Sequence, residues 1–176
     1  LSASGSGICS DTANNIYIHD VQNSESLMYL ILVHQRGGGT TNATLSNITL
    51  ADSSNTSGGV DGFAVGIGAY GAFGGTGTVN ATITNATIDN ISAANINAPY
   101  ASFAFSSGGP ANTTVNVYNS TITGSRGITG NAFPLVGVRS AAFYSAAAGL
   151  GSGTTGTSVL NVGNSLLADN MSDSTS

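Results

Sequence analysis

Charge is what this sequence has least of. Only 6% of its 176 residues carry one, against about 25% in an average globular protein. Lysine is absent. Arg36, Arg126 and Arg139 stand against seven aspartates and Glu25, for a net charge of −5. No nucleic-acid partner is expected, because phosphate binding draws its affinity from clustered Lys and Arg. Cysteine is reduced to Cys9. No disulfide can close within the segment, and with no second thiol or nearby His there is no metal-site spacing; no cofactor is expected. Cys9 reads as a small buried hydrophobe, with pairing to a cysteine outside these residues as the alternative. The apolar stretch Leu27 to Val33 is seven residues long, whereas a membrane helix needs roughly 20. It is expected to be a buried strand, and no membrane-spanning segment is expected.

Gly, Ser, Thr, Asn and Ala fill the gap, so the surface must be wetted by neutral hydroxyls and amides. The 40% hydrophobic content is enough for one continuous core in one domain. No signal peptide or initiator Met is visible, and Leu1 opens a polar stretch; both ends read as cut.

A repeat organises the chain. The pattern apolar-x-apolar-x-Asn-x-x-apolar runs Ala43-x-Leu45-x-Asn47-x-x-Leu50, then Ala81-x-Ile83-x-Asn85-x-x-Ile88. It returns as Val115-x-Val117-x-Asn119-x-x-Ile122 and Leu160-x-Val162-x-Asn164-x-x-Leu167, with a weaker first copy, Ile16-x-Ile18-x-Asp20. The anchors Asn47, Asn85, Asn119 and Asn164 are 38, 34 and 45 residues apart, a supersecondary repeat with insertions between copies. Each of the first four copies precedes a second segment, aromatic and then glycine-rich, such as Met28-Tyr29-Leu30 before Gly37-Gly38-Gly39.

Alternation of period two makes each Asn-bearing segment a strand with one buried face. Helix is disfavoured, because Gly, Asn, Ser and Thr dominate every window. Stacking such units buries a face that no unit can bury alone. The fold expected is all-β, a right-handed parallel β-helix (solenoid) of about five irregular coils; a β-sandwich is the alternative. Residues 1–14 are expected as an N-terminal cap or linker, 15–170 as the β-solenoid and 171–176 as a polar end. The anchors share the parity of the apolar residues before them, so they are expected to point inward and bond one another up the stack.

The segments Thr78 to Asn90 and Thr114 to Ile122 resemble the coils of pectin-lyase-like right-handed β-helices, as in the secreted passengers and polymorphic outer-membrane proteins of bacterial surfaces. The resemblance covers roughly residues 15 to 170 and implies a fold more than a function. The long, Gly-rich second halves depart from the family pattern.

No catalytic residue is assigned. Polysaccharide lyases of that fold need a basic residue and often clustered carboxylates, and glycoside hydrolases a carboxyl pair, whereas Asp52, Asp61, Asp89 and Asp169 are spread one per segment. Asp52, Asp89 and Asp169 follow their anchors by four or five residues and read as turn carboxylates, with an acidic edge as the alternative. His19 and Asp20 are adjacent, so in a strand they should face opposite sides. The glycine runs lack the Lys of a phosphate loop and read as wide turns where coils approach closely. The aromatics read as core, with a sugar-stacking platform as the alternative.

Nine Asn-x-Ser/Thr sequons remain. Asn42, Asn55, Asn80, Asn90, Asn112 and Asn170 are the glycosylation candidates, and the inward anchors are expected to stay bare. The function expected is that of an extracellular or cell-surface, adhesin-like structural solenoid that presents loops without catalysis. Other copies or surface proteins are the expected partners, and a glycan is a candidate ligand. A self-assembling surface filament subunit and a carbohydrate-active enzyme are the alternatives.

Overall fold

The computed structural model describes residues 1–25, 28–56, 64–71, 76–93, 100–107, 111–124, 126–129, 141–146, 156–168 and 171–174. Side chains are described for these except residues 2–3, 71, 100–107, 126–129, 141–146 and 171–174. In chain order the strands are β1 (Ser2–Ala3), β2 (Ile8–His19), β3 (Gln22–Asn23), β4 (Met28–Gln35), β5 (Thr40–Asn55), β6 (Ala64–Gly71), β7 (Thr78–Ala93) and β8 (Tyr100–Ser107). They continue as β9 (Asn112–Tyr118), β10 (Thr121–Thr123), β11 (Arg126–Thr129), β12 (Ala141–Ala146), β13 (Thr157–Gly163), β14 (Leu166–Ala168) and β15 (Met171–Ser174). No helix among the described residues is long and apolar enough to cross a membrane.

The protein is all-β, and its strands form two sheets. One runs β1-β4-β6-β8-β12, and the other joins the Asn-bearing strands, β2 and β3 to β5, then β7, then β9, β10 and β11, then β13, β14 and β15. Every strand pair among the described residues is parallel. This pairing excludes the antiparallel β-sandwich, because parallel neighbours need a crossover and not a hairpin. Residues 8–14, expected in a cap or linker, pair along β5 from Thr40 to Ser46. The end segment likewise contributes β15, which pairs with β11.

Like residues stack in columns. Ala13, Leu45, Ile83, Val117 and Val162 are successive register partners, as are Ile18, Leu50, Ile88, Ile122 and Leu167. In the middle strands these columns are fully buried. They join Met28, Val33, Ala64, Ile67 and Ala69 of the other sheet in one hydrophobic cluster, so a single core lies between the two sheets. Each buried Ile or Leu contributes about 1.5–3 kcal/mol of transfer free energy.

The long strands bend at two fixed registers. Asn15, Asn47, Asn85, Asn119 and Asn164 all have φ between 49° and 56°, in the left-handed region that Asn tolerates better than most residues. Five residues on, Asp20, Asp52, Asn90 and Gly124 have φ between 46° and 58°. The ladder is interrupted at both registers, where Asn15 against Asn47, Asn47 against Asn85 and Asp52 against Asn90 are skipped. A left-handed residue also resets the alternation, so Leu45 and Ile48 on either side of Asn47 are both buried.

That reset corrects two expectations. The anchor Asn residues do not point inward; Asn47, Asn85, Asn119 and Asn164 are exposed at a corner of the strand. The first copy is anchored by Asn15, and Asp20 belongs to the second corner.

Serine repairs the interrupted ladder. The buried Ser120 hydroxyl, which donates to Tyr118 O at 3.0 Å, accepts the Ala86 amide of the neighbouring strand at 3.3 Å. Ser53 takes the Val21 amide at 3.1 Å and Ser165 the Ser120 amide at 3.3 Å. Each follows a corner residue, where an orphaned amide would otherwise be buried at a cost.

Close approach explains three glycines. A Cβ on Gly39 would run into the backbone of Gly7, one on Gly37 into that of Gly5, and one on Gly77 into Gly37 O and the Gln35 side chain. The runs at 72–75, 108–110 and 147–155 lie outside the described residues.

Candidate functional site

The exposed surface of the Asn-bearing sheet is built from neutral side chains in ladders. At the first corner Asn47 Nδ2 donates to Asn14 Oδ1 at 2.9 Å, Asn85 Nδ2 to Asn47 Oδ1 at 3.2 Å and Asn164 Nδ2 to Asn119 Oδ1 at 2.7 Å. The ladder expected inside the core therefore runs outside it. On the preceding flat strip Asn80 donates to Asn42 at 2.9 Å and Asn161 to Asn116 at 2.9 Å. The outward positions beside them are Thr40, Thr78, Thr44 and Thr82. Strand spacing of about 4.8 Å and alternate residues about 6.7 Å apart make this strip a regular array of hydroxyls and amides.

The sequon residues fall into different environments. Asn112 is exposed, and its Oδ1 accepts the Thr157 amide at 3.2 Å. Asn42 and Asn80 are half-buried in their ladder, and Asn90 is exposed with its amide on Asp52 Oδ1 at 2.7 Å. Asn55, expected to be an accessible loop residue, is 0% exposed and faces inward beside its register partner Asn23. Asn170 lies outside the described residues.

The acidic edge is rearranged. Asp52 stands in register between Asp20 and Asn90, whereas Asp89 pairs with Ala51 and accepts the Thr123 hydroxyl at 2.8 Å. Asp61 and Asp169 lie outside the described residues. Among the described residues no three His, Cys, Asp or Glu side chains come together as a metal site. His19 and Asp20 do meet: the left-handed backbone at Asp20 turns its carboxylate to 2.6 Å from His19 Nδ1. Tyr17 stacks on the same imidazole at 4.4 Å. Both members of the pair are exposed, and such a solvated pair contributes little to stability.

Cys9 is half-buried, and its Sγ donates to Asp11 Oδ2 at 3.3 Å. That bond, and then burial, push the thiol above its ordinary pKa and hold it in its less reactive form. On the other sheet the Tyr29 and Tyr70 rings meet edge to face at 5.5 Å over Gly68, on the face opposite Ile67 and Ala69. Expected in the core, these two rings instead cover a glycine on the outer face. Burial pushes the Tyr29 phenol above its ordinary pKa, partly offset by a hydrogen bond with Tyr70.

No family model, curated protein or solved structure matches this chain. The residues alone therefore carry the functional reading. They make a charge-poor surface of stacked amides and hydroxyls, with Asp20 and Asp52 on adjoining strands at the second corner and Asp89 beside it.

Proposed function

We propose that the chain is a structural β-solenoid, a right-handed parallel β-helix of the pectin-lyase-like kind. It works outside the cell or on its surface as a non-catalytic, adhesin-like scaffold that presents the segments between its strands. The register carries this reading. Bonded column partners are 32, 38, 34 and 45 residues apart along the chain, yet they remain partners residue for residue. All variation in length falls between strands, as a framework for display requires. The single core shared by both parallel sheets supports a coiled path, and the neutral ladders support a surface wetted without charge.

An epitope inserted between residues 150 and 151 tests the reading, with insertion between Thr82 and Ile83 of β7 as the control. The first variant keeps its β-sheet circular dichroism and melting temperature, whereas the second loses both. On intact cells that make the full protein, an antibody binds the inserted epitope without lysis. Unfolding by the first insertion overturns the scaffold role, and binding only after lysis overturns the surface placement.

A further inference from the structure

The interior strands of the Asn-bearing sheet carry a two-dimensional array on their outward side. β5 presents Thr40, Asn42 and Thr44, and their register partners on β7 are Thr78, Asn80 and Thr82. β9 continues the three columns with the order inverted, as Asn112, Thr114 and Asn116. Each of these side chains is neutral and ends in an amide or a hydroxyl. β2 flanks the array on one side and β13 on the other. The array is also rigid. Thr is stiff at χ1, and the Asn80 amide is held on Asn42 at 2.9 Å. Five residues further along the same two strands, the Asn85 amide is held on Asn47 at 3.2 Å. The twist of about 20–25° usual between neighbouring strands would carry one of these pairs several ångströms apart, so the two bonds keep β5 and β7 close to parallel. Among the described residues the Thr44 and Thr82 hydroxyls have no partner within the protein, and each can donate and accept.

Such an array narrows its ligand by chemistry. A polyanion or an ionic mineral face needs opposite charge, and these three columns carry none. A sugar ring is gripped by stacking on an aromatic face, and the same columns hold no ring. What matches them is a neutral solid whose own donors and acceptors repeat in two directions. We infer that the outward strip of β5, β7 and β9 binds ice. Its repeats of about 4.8 Å across strands and about 6.7 Å along them lie near the oxygen repeats of the ice lattice. The hydroxyls and amides take the place of lattice waters, and the Thr methyl groups fill the space between. Because the ladders fix the array before contact, little side-chain entropy is lost on binding. The inference names a partner for the scaffold proposed above, a frozen water surface, and rests on its parallel stack.

Nanolitre osmometry and partitioning into a growing ice front test this, with circular dichroism reporting the fold. The wild-type chain facets ice crystals and opens a gap between their melting and growth temperatures. Thr82→Tyr and Thr44→Tyr lose both effects, because a ring standing above the array holds the ice away, while the β-propensity of Tyr preserves the strand. Thr87→Tyr keeps both, since Thr87 lies on the same strand beyond the Asn85 corner, in a separate outward column with Thr49 and Thr121. Should Thr82→Tyr lose its β-sheet signal, the exposed Thr44 carries the comparison. A wild-type chain that leaves ice unshaped with its β-sheet signal intact overturns the inference and leaves the scaffold reading standing. Activity untouched by the two strip variants, or lost equally in Thr87→Tyr, overturns the placement on this strip. Binding to crystalline cellulose or chitin in place of ice, blocked by the same two variants, overturns ice and assigns the array to a sugar lattice. Loss of the β-sheet signal in the wild type overturns the stack, and the inference with it.

Discussion

Asn47 serves the fold in two separable ways, and substitution there tells them apart. Its φ of 53° costs an ordinary L-residue about 1–2 kcal/mol. Its amide also donates to Asn14 and accepts from Asn85, two exposed bonds together contributing about 1 kcal/mol. Asn47→Ala loses both contributions, about 2–3 kcal/mol, and Asn47→Gly only the bonds, because Gly enters the left-handed region freely. In a chain of this length each kcal/mol moves the melting temperature by about 2–4 °C. Thermal unfolding followed by circular dichroism should therefore place Asn47→Ala about 4–12 °C below wild type and Asn47→Gly about 2–4 °C below. Asn47→Asp, which tolerates the same backbone but lacks the donor, should fall beside the glycine variant. Equal losses for Ala and Gly would refute the backbone argument, and an unchanged Asn47→Ala would refute both.

Ser120→Ala strands the Ala86 amide in the core, and should cost about 1–3 kcal/mol in urea titration. Gly77→Ala forces a Cβ into Gly37 O and Gln35 and should cost about 1–3 kcal/mol, while Gly7→Ala, with open space around it, should leave the urea midpoint unchanged. Burial, and then Arg36, hold the His34 pKa below its ordinary value of 6.5. The unfolded chain therefore binds the proton first. This contribution to stability is complete above about pH 6.5 and is lost as pH falls toward the folded pKa; in paired urea titrations His34→Gln should abolish that part of the acid dependence. When the chain is made in a glycosylating host, peptide mass spectrometry should find sugar on exposed Asn112 and none on buried Asn55.

The repeat was legible because Asn47, Asn85, Asn119 and Asn164 recur with the same apolar neighbours, and those neighbours do stack column on column. The direction of the anchors was not legible. Period-two reasoning assumes extended backbone throughout, and one left-handed residue in the strand invalidates it from that point on. The second corner was read only at Asp52, expected as a turn carboxylate, and the rest of its column was missed for a chemical reason. Asp20, Asp52, Asn90 and Gly124 are not one residue type; what all four share is tolerance of positive φ, and that common tolerance was the available signal. It also explains the His19–Asp20 contact, which an unbroken strand would forbid. Asn55 resembled a loop residue because Ser and Thr surround it, but its parity after the Asp52 corner turns it inward.

The in-register parallel ladder also fixes how the molecule would respond to force. Tension across the strands loads the hydrogen bonds between neighbours a row at a time, so the end strand peels while the others hold. Each release would free the 32 to 45 residues that separate column partners, about 110–160 Å of extended chain. A ladder built this way yields in steps, and a detached strand can dock again onto the edge it left.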